Sequence, residues 1–474
     1  MIVRRFFIKG IAHSSYLIAG SKACAIVDPQ RDVGIYLNAA KAMDVEITHI
    51  LETHLHADFV SGHIDLAEAT GAAIYAPKSA QCGFDHVPLA EGDAFEIEHM
   101  LVSVLETPGH TPEHIAYVLT DQGRGDDPVA LVCGDTLFVG DVGRPDLFPG
   151  MARELAAKLY DSLHEKLLKL PDFCEVYPAH GAGSLCGKAM AAKRTSTIGY
   201  ERRYNPALMV ADRETFIASL TNDMPPAPDH FGRCSAINGV GPTPIRDLPA
   251  VERLAPQQFH ERAQAGNALV LDVRRYESFG GQHVPGAYHN DLAGNFSTFS
   301  GWVLPPNQDI LLVTEHDAQI EEAAIGLRRV GLDRVVGYLD GGMYAWARSG
   351  LPVAHVAPLS VQKLYEIGTS DSRVLVDVRS KSEYDAFHIE GSIHIPVPEL
   401  RTRHTELDPE AEIVLICNTG RRSSLGASIL LRNGFTTVHN VAGGTTGYSA
   451  AGYGAECPMC VIPHGPRFLG TARG

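Results

Sequence analysis

The second half of the chain contains one segment twice. "LVLDVRRYESFGGQHVPGAYH" at 269 to 289 matches "VLVDVRSKSEYDAFHIEGSIHIP" at 374 to 396, with Asp272 and Asp377 105 residues apart. Further on, "LRRVGLDRVVGYLDGGMYAW" matches "LLRNGFTTVHNVAGGTTGYS" as the offset falls to 103 and then 102. These are two tandem copies of one domain. Each copy holds a buried strand ending in Asp-Val-Arg, a second apolar strand, a helix, and a glycine pair before the next helix. That order predicts a small doubly wound parallel sheet in each copy.

The first 205 residues or so read differently. Short β-rich runs such as "CAIVD", "ITHILETH", "ALVCGD" and "CEVYPAHG" alternate with helical stretches such as "ARELAAKLYDSLHEKLLKL", a pattern of layered α/β structure. The Pro-rich stretch "TNDMPPAPDHFGRCSAINGVGPTPIRDLP" then predicts an irregular arm leading to a boundary near residue 245. A chain of 474 residues is expected to hold about three domains, here 1–245, 246–356 and 357–474. With 40 basic against 56 acidic residues the formal charge is −16, which argues against nucleic acid or an anionic membrane as partner. The opening residues carry no apolar run of signal-peptide length, and no later run reaches the roughly 18 apolar residues of a span. A cytoplasmic protein, as a homo-oligomer, is the expectation. The nine cysteines are too sparse for a disulfide scaffold.

Four places in the first domain offer metal ligands at strand ends. They are His54, His56 and Asp58 after "ITHILET", His110 in "LETPGHTPEH", Asp135 in "LVCGDTLF", and His180 in "VYPAHGAG". In this order the set resembles the metallo-β-lactamase fold superfamily, which implies an αββα sandwich. Two-metal members read His-x-His-x-Asp-His, and the last histidine helps hold the second metal. Here that position is Phe59. A phenyl ring donates no lone pair, so a single metal is expected. Resemblance to the persulfide dioxygenase branch implies one Fe(II) per chain on His54, His110 and Asp135, a facial triad with positions open for O₂ and substrate. The best-known dioxygenases of that branch keep the fourth histidine while binding one iron. The same resemblance places His56, Asp58 and His180 around the ligands, setting their orientation. "GDVGRPDLFPG" at 140 to 150 resembles a segment of that branch, making Arg144 a candidate for binding an anionic substrate or, paired with Asp146, for pinning the loop. His63, His86, His99, His114 and His164 fall outside the pattern and read as structural or surface residues.

In the last repeat, "AEIVLICNTGRRSSLGASILL" puts Cys417 at the end of an apolar strand, followed by the loop "NTGRR" and a helix from about Ser423. Inward-facing N–H groups, a helix start and the charges of Arg421 and Arg422 suit an anionic sulfur. The Cys-x-x-Gly-x-Arg loop, with Gly420 at its turn, closely resembles rhodanese sulfurtransferases, in which the cysteine becomes a persulfide. Aligned through Gly331 and Gly434, the middle repeat has Thr314 opposite Cys417 and a loop "TEHDAQIEEAA" without thiol, glycine or arginine cluster. It reads as an inactive copy.

The combined order resembles the fused persulfide dioxygenase–sulfurtransferases of bacterial sulfide detoxification. The resemblance implies that a low-molecular-weight thiol persulfide is oxidised by O₂ to sulfite, and that Cys417 moves sulfur among persulfide, sulfite and thiosulfate. Glyoxalase II-like thioester hydrolysis and a non-catalytic sulfur carrier are the alternatives. Cys186 is read as a packing residue that could be a second thiol near the metal mouth. Cys457 and Cys460 have the spacing of a zinc or redox pair, with no second pair nearby.

Overall fold

The computed structural model describes residues 1–453 apart from 189, 223, 225 and 371. Cys457 and Cys460 lie outside the described residues. The chain divides into two compact units, one formed by 1–248 with 300–302 and 325–333, the other by the rest of the described residues.

Alternation along the strands of the first unit builds three layers of core. In the strands His13–Ala19, Ala23–Val27 and Glu46–Leu51, the side chains of Tyr16, Ile18, Ala25, Val27 and Leu51 face a second sheet, where they meet Val102, Tyr117 and Val132. The intervening Leu17, Ala19, Cys24, Ile26 and Ile50 face the other way, into the helices Gly34–Met43 and His63–Thr70. The second sheet repeats the arrangement, sending Ala116, Leu131 and Val176 outward against Leu159 of helix Ala152–Asp161 and Phe216 of helix Arg213–Thr221. Each sheet has six strands. The result is the αββα sandwich expected from the sequence.

The Pro-rich arm is not irregular throughout. It contains the helix His230–Val240, with Phe231, Cys234 and Asn238 buried. Gly232, Gly239 and the flanking prolines dilute the helical signal, while the buried residues recur at three to four positions, enough to pack one face.

The second unit holds two five-stranded sheets with the same strand order. Across the sheet these run Glu252–Leu254, Val335–Leu339, Asp309–Val313, Ala268–Asp272, Tyr288–His289 and, in the second copy, Ala357–Ser360, Val438–Ala442, Glu412–Ile416, Arg373–Asp377, Ile393–His394. All neighbours are parallel. The register agrees as well: Asp272 lies opposite Val313 and Asp377 opposite Ile416, so Thr314 and Cys417 leave equivalent strand ends. These are the two doubly wound α/β domains inferred from the repeat.

Candidate functional site

The loop from Glu52 to Gly62 follows strand Glu46–Leu51 and is held from behind by Asp28. The Asp28 carboxylate accepts from the Thr53 backbone N–H at 2.8 Å and from Thr53 Oγ1, and it lies 3.2 Å from His56 Nε2. A second clamp comes from the arm helix. Asn238 Nδ2 donates to the carbonyls of His56 and Phe59, both at 2.8 Å, and its Oδ1 accepts from Ser61 N–H at 2.8 Å. Four backbone groups of the loop are thereby paired before it reaches the site.

His54, His110 and Asp135 come together from three strand ends. All are buried, and a donor atom of each lies within 4.8 Å of the others. Asp135 Oδ2 is 3.3 Å from His110 Nε2 and 3.9 Å from His54 Nε2, and neither nitrogen has a hydrogen-bond partner. His110 Nδ1 donates to the Arg144 carbonyl at 2.9 Å, which leaves the lone pair of the neutral ring on Nε2. Burial, then the neighbouring rings of His56 and His114, pull the His54 pKa well below its ordinary value. Burial also lowers that of His110, against the pull of Asp135 and the Arg144 carbonyl. Burial opposes ionisation of Asp135, but the charge and hydrogen bond of His180 outweigh it and hold the carboxyl low. Two neutral imidazoles with orphaned nitrogens facing an ionised carboxylate form a donor set that suits one divalent metal.

His180 bridges two acids, with Nδ1 2.7 Å from Asp135 and Nε2 2.8 Å from Asp58. Burial lowers its pKa less than the Asp135 and Asp58 carboxylates raise it, so the ring is held well above the ordinary histidine value. Asp58, His180 and Cys186 form a second cluster of donors within 4.8 Å, and Asp28, Glu52 and His56 a third. Phe59 is fully buried, its ring 4.1 Å from that of His13 and 4.4 Å from that of His56. Cys186 packs with Ala57, Phe138 and Phe231, and burial followed by the charges of Asp58 and Asp135 pushes its thiol pKa far up. The Arg144 guanidinium is buried and forks onto both oxygens of Asp146 at 2.6 and 2.7 Å, with a third bond to the Leu185 carbonyl.

His114 is no bystander. Its Nε2 accepts from the Asp135 N–H at 3.0 Å, its Nδ1 meets Thr107 Oγ1 at 2.8 Å, and its ring stacks on His54 at 4.7 Å. It reaches the site from the end of "GHTPEH", a role that spacing alone does not distinguish from surface exposure.

In the second unit Cys417 is 1 % exposed at the end of Glu412–Ile416, and its Sγ receives the Gly420 N–H at 3.1 Å and the Ser423 hydroxyl at 3.2 Å. Gly420 has φ +104°, a turn that an L side chain resists. The glycine pair also has a physical cause: a Cβ on Gly444 would collide with the Cys417 carbonyl oxygen. Glu383 accepts from both terminal nitrogens of Arg422, at 2.6 and 2.7 Å, and from Asn418 at 2.7 Å. The sequence signal for Glu383 is its place in the capping box of helix Lys381–Ala386, which by itself gives no hint of the Arg422 contact.

Residues 8–180 match the metallo-beta-lactamase superfamily, and residues 255–349 and 360–451 match the rhodanese-like domain. The crystal structure of a metallo-beta-lactamase from Staphylococcus aureus subsp. aureus COL is 34 % identical with a TM-score of 0.64, over 72 % of this chain and 98 % of that one. The chain thus belongs to the metallo-β-lactamase superfamily, in a form carrying two rhodanese-like domains behind the sandwich. Persulfide dioxygenase ETHE1, mitochondrial, from Mus musculus is 28 % identical over 241 residues, 49 % of this chain and 85 % of that protein. Hydroxyacylglutathione hydrolase from Rhodospirillum rubrum is 39 % identical over 161 residues, 33 % of this chain and 57 % of the hydrolase. The chain spans little more than half the length of that hydrolase. Among the described residues no helix is long and apolar enough to cross a membrane.

Proposed function

We propose that this protein oxidises a low-molecular-weight thiol persulfide with O₂ to sulfite in its first domain and transfers sulfane sulfur through Cys417 in its last. The observation that carries the reading is the pairing of a donor set of two histidines and one carboxylate, His54, His110 and Asp135, with Phe59 where a fourth histidine would serve a second metal. One iron(II) held by that set would supply the open coordination positions and redox chemistry for RSSH + O₂ + H₂O → RSH + SO₃²⁻ + 2 H⁺, in which the outer sulfur gives up four electrons and O₂ accepts them. The chain's own residues then have defined tasks. The Arg144 carbonyl fixes the His110 tautomer, His180 and His114 orient Asp135 from both sides, and Asp28 and Asn238 hold the loop bearing His54. Phe59, Phe138 and Phe231 keep the surroundings apolar. We assign the three domains to 1–245, 246–356 and 357–474, and the protein to the cytoplasm.

At the second site Gly420 N–H and Ser423 Oγ direct donors at the Cys417 sulfur, and Glu383 holds Arg422 and Asn418 so that the loop keeps its shape. A persulfide there can pass its outer sulfur to sulfite, Cys–S–S⁻ + SO₃²⁻ → Cys–S⁻ + S₂O₃²⁻.

A thioester hydrolase is the second reading, favoured by the cluster Asp58, His180 and Cys186 beside the first donor set, which could hold another metal. Metal analysis with an oxygen electrode separates the two. One iron per chain with O₂ uptake on glutathione persulfide, both lost in His110→Ala, is expected. Two tightly bound zinc ions with thioester hydrolysis and no O₂ uptake would overturn the dioxygenase reading.

A further inference from the structure

The middle repeat has no thiol, yet its residues reach the Cys417 loop. A Cβ placed on Gly420 would lie 2.9 Å from Cζ and 3.0 Å from Cε2 of Tyr276, so the Tyr276 ring rests directly against the turn of the sulfur-carrying loop. The ring's phenol lies against the Gly443 backbone, on the other segment that supports Cys417. From the same repeat Asp291, 6 % exposed, places Oδ2 3.5 Å from Arg421 Nε. The contact continues along the helix Arg421–Arg432: Ser428 Oγ accepts from His289 N–H at 3.0 Å, and the Arg432 guanidinium covers the Tyr288 ring at 4.1 Å.

The charges in the loop are divided unequally. Arg422 is bound by Glu383 and Arg379 by Asp377, both acids of the last repeat itself. Arg421 is half exposed and has its carboxylate from the middle repeat. A small dianion approaching Cys417 would compete with Asp291 for Arg421, whereas a thiol persulfide must also bring an organic group past Tyr276.

We propose that the middle repeat is the specificity element of the Cys417 site: Asp291 tempers Arg421 and so weakens the hold on small sulfur dianions, and Tyr276 forms a wall that selects by size. This rests on Cys417 carrying sulfur, as proposed above. It gives a repeat without a thiol a task at the Cys417 site, and it assigns roles to two residues on which the reaction itself makes no demand.

The test uses the full-length protein with thiosulfate as donor and cyanide as acceptor. Cys–S⁻ displaces sulfite from thiosulfate to form the persulfide, and cyanide removes the outer sulfur as thiocyanate. Asp291→Asn retains an oxygen for the Ala293 N–H that Asp291 now accepts at 2.9 Å, so the local turn is preserved. This variant should lower KM for thiosulfate by about three- to fivefold at low salt with kcat unchanged, and the gain should vanish in high salt and in an Arg421→Gln background. Tyr276→Ala should shift kcat/KM toward glutathione persulfide relative to thiosulfate. Unchanged KM in Asp291→Asn together with unchanged donor preference in Tyr276→Ala would overturn the inference while leaving sulfur transfer intact. Thiocyanate formation that does not depend on Cys417 in otherwise wild-type protein would instead overturn the underlying reading, and this inference with it. If Tyr276→Ala does not fold, Tyr276→Phe and Tyr276→Leu grade the wall by size and give the same comparison.

Discussion

The middle and last repeats share a frame and differ in one loop. In each, the acid ending the strand beside the edge strand binds the arginine two residues on, Asp272 with Arg274 at 2.7 Å and Asp377 with Arg379 at 2.6 Å. In each, a histidine from the edge strand reaches that arginine's carbonyl, His289 at 2.9 Å and His394 at 2.8 Å. Both pins sit beside the carboxyl ends of the strands, where open α/β sheets place their sites. The loops leaving the next strand differ: Cys417-Asn418-Thr419-Gly420 in one copy, Thr314-Glu315-His316-Asp317 in the other. The buried pins are common to both copies, and under the proposed function the loop is where the chemistry differs.

The largest expected effect on this comparison is removal of the sulfur. Cys417→Ser should cut thiosulfate-to-cyanide transfer by about a thousandfold or more while iron content stays the same, read by thiocyanate formation and metal analysis. Retained transfer would make another cysteine the carrier, with Cys186 the first to examine.

The shared pins should fail alike. Asp272→Asn and Asp377→Asn each leave a buried arginine without its charge partner, at a cost of about 3 kcal/mol in denaturant unfolding. Only Asp377→Asn should also reduce sulfur transfer. If the two variants lost transfer equally, the division into a structural and a working copy would be wrong.

Glu383 has Ser278 as its counterpart in the middle repeat, and the neighbouring Glu277 pairs with Arg275 at the surface. Burial opposes ionisation of Glu383, but the Arg422 hydrogen bonds and charge outweigh it and hold the pKa at about 2. A depressed carboxyl contributes stability that is present above its unfolded value near 4.3 and is lost as pH falls toward 2, here at most about 3 kcal/mol. Melting temperatures of wild type and Glu383→Gln should therefore differ most above about pH 4.5 and converge in acid. A constant gap across that range would contradict the assignment.

The smallest effect is expected from Thr314→Cys. It places a thiol at the equivalent strand end, but "EHDAQIEEAA" provides neither the glycine turn nor the arginines, so transfer in a Cys417→Ser background should stay at the residual level. Recovered thiocyanate formation would show that the frame alone suffices.

Much of this was legible in the chain because the informative residues lie close together in sequence. The duplicated Asp-Val-Arg strand located both sheets, "CNTGRR" marked the loop that folds around Cys417, and the strand-end histidines and acids include the three that cluster as His54, His110 and Asp135. The missing parts come from distant segments. Asn238 lies 182 residues from His56, whose carbonyl it binds, inside an arm whose glycines and prolines obscured its helix. Asp28 is one acid after a strand until folding sets it behind Thr53, and His114 differs from a surface histidine only through Asp135 and Thr107. Tyr276 and Asp291 belong to a repeat that looks inert when read alone; their contacts with the Cys417 loop exist only in the folded pair.

The most direct measurement of the two-site chemistry is product analysis after reaction of glutathione persulfide with O₂, wild type against Cys417→Ser, using matched anaerobically prepared substrate, thiol-reactive labelling and chromatography. The expected result is equal O₂ consumption, with thiosulfate as the main product of the wild type and sulfite as that of the variant, because sulfite formed in the first domain takes up sulfur from Cys417. The same sulfite-to-thiosulfate ratio from both proteins would contradict the coupling.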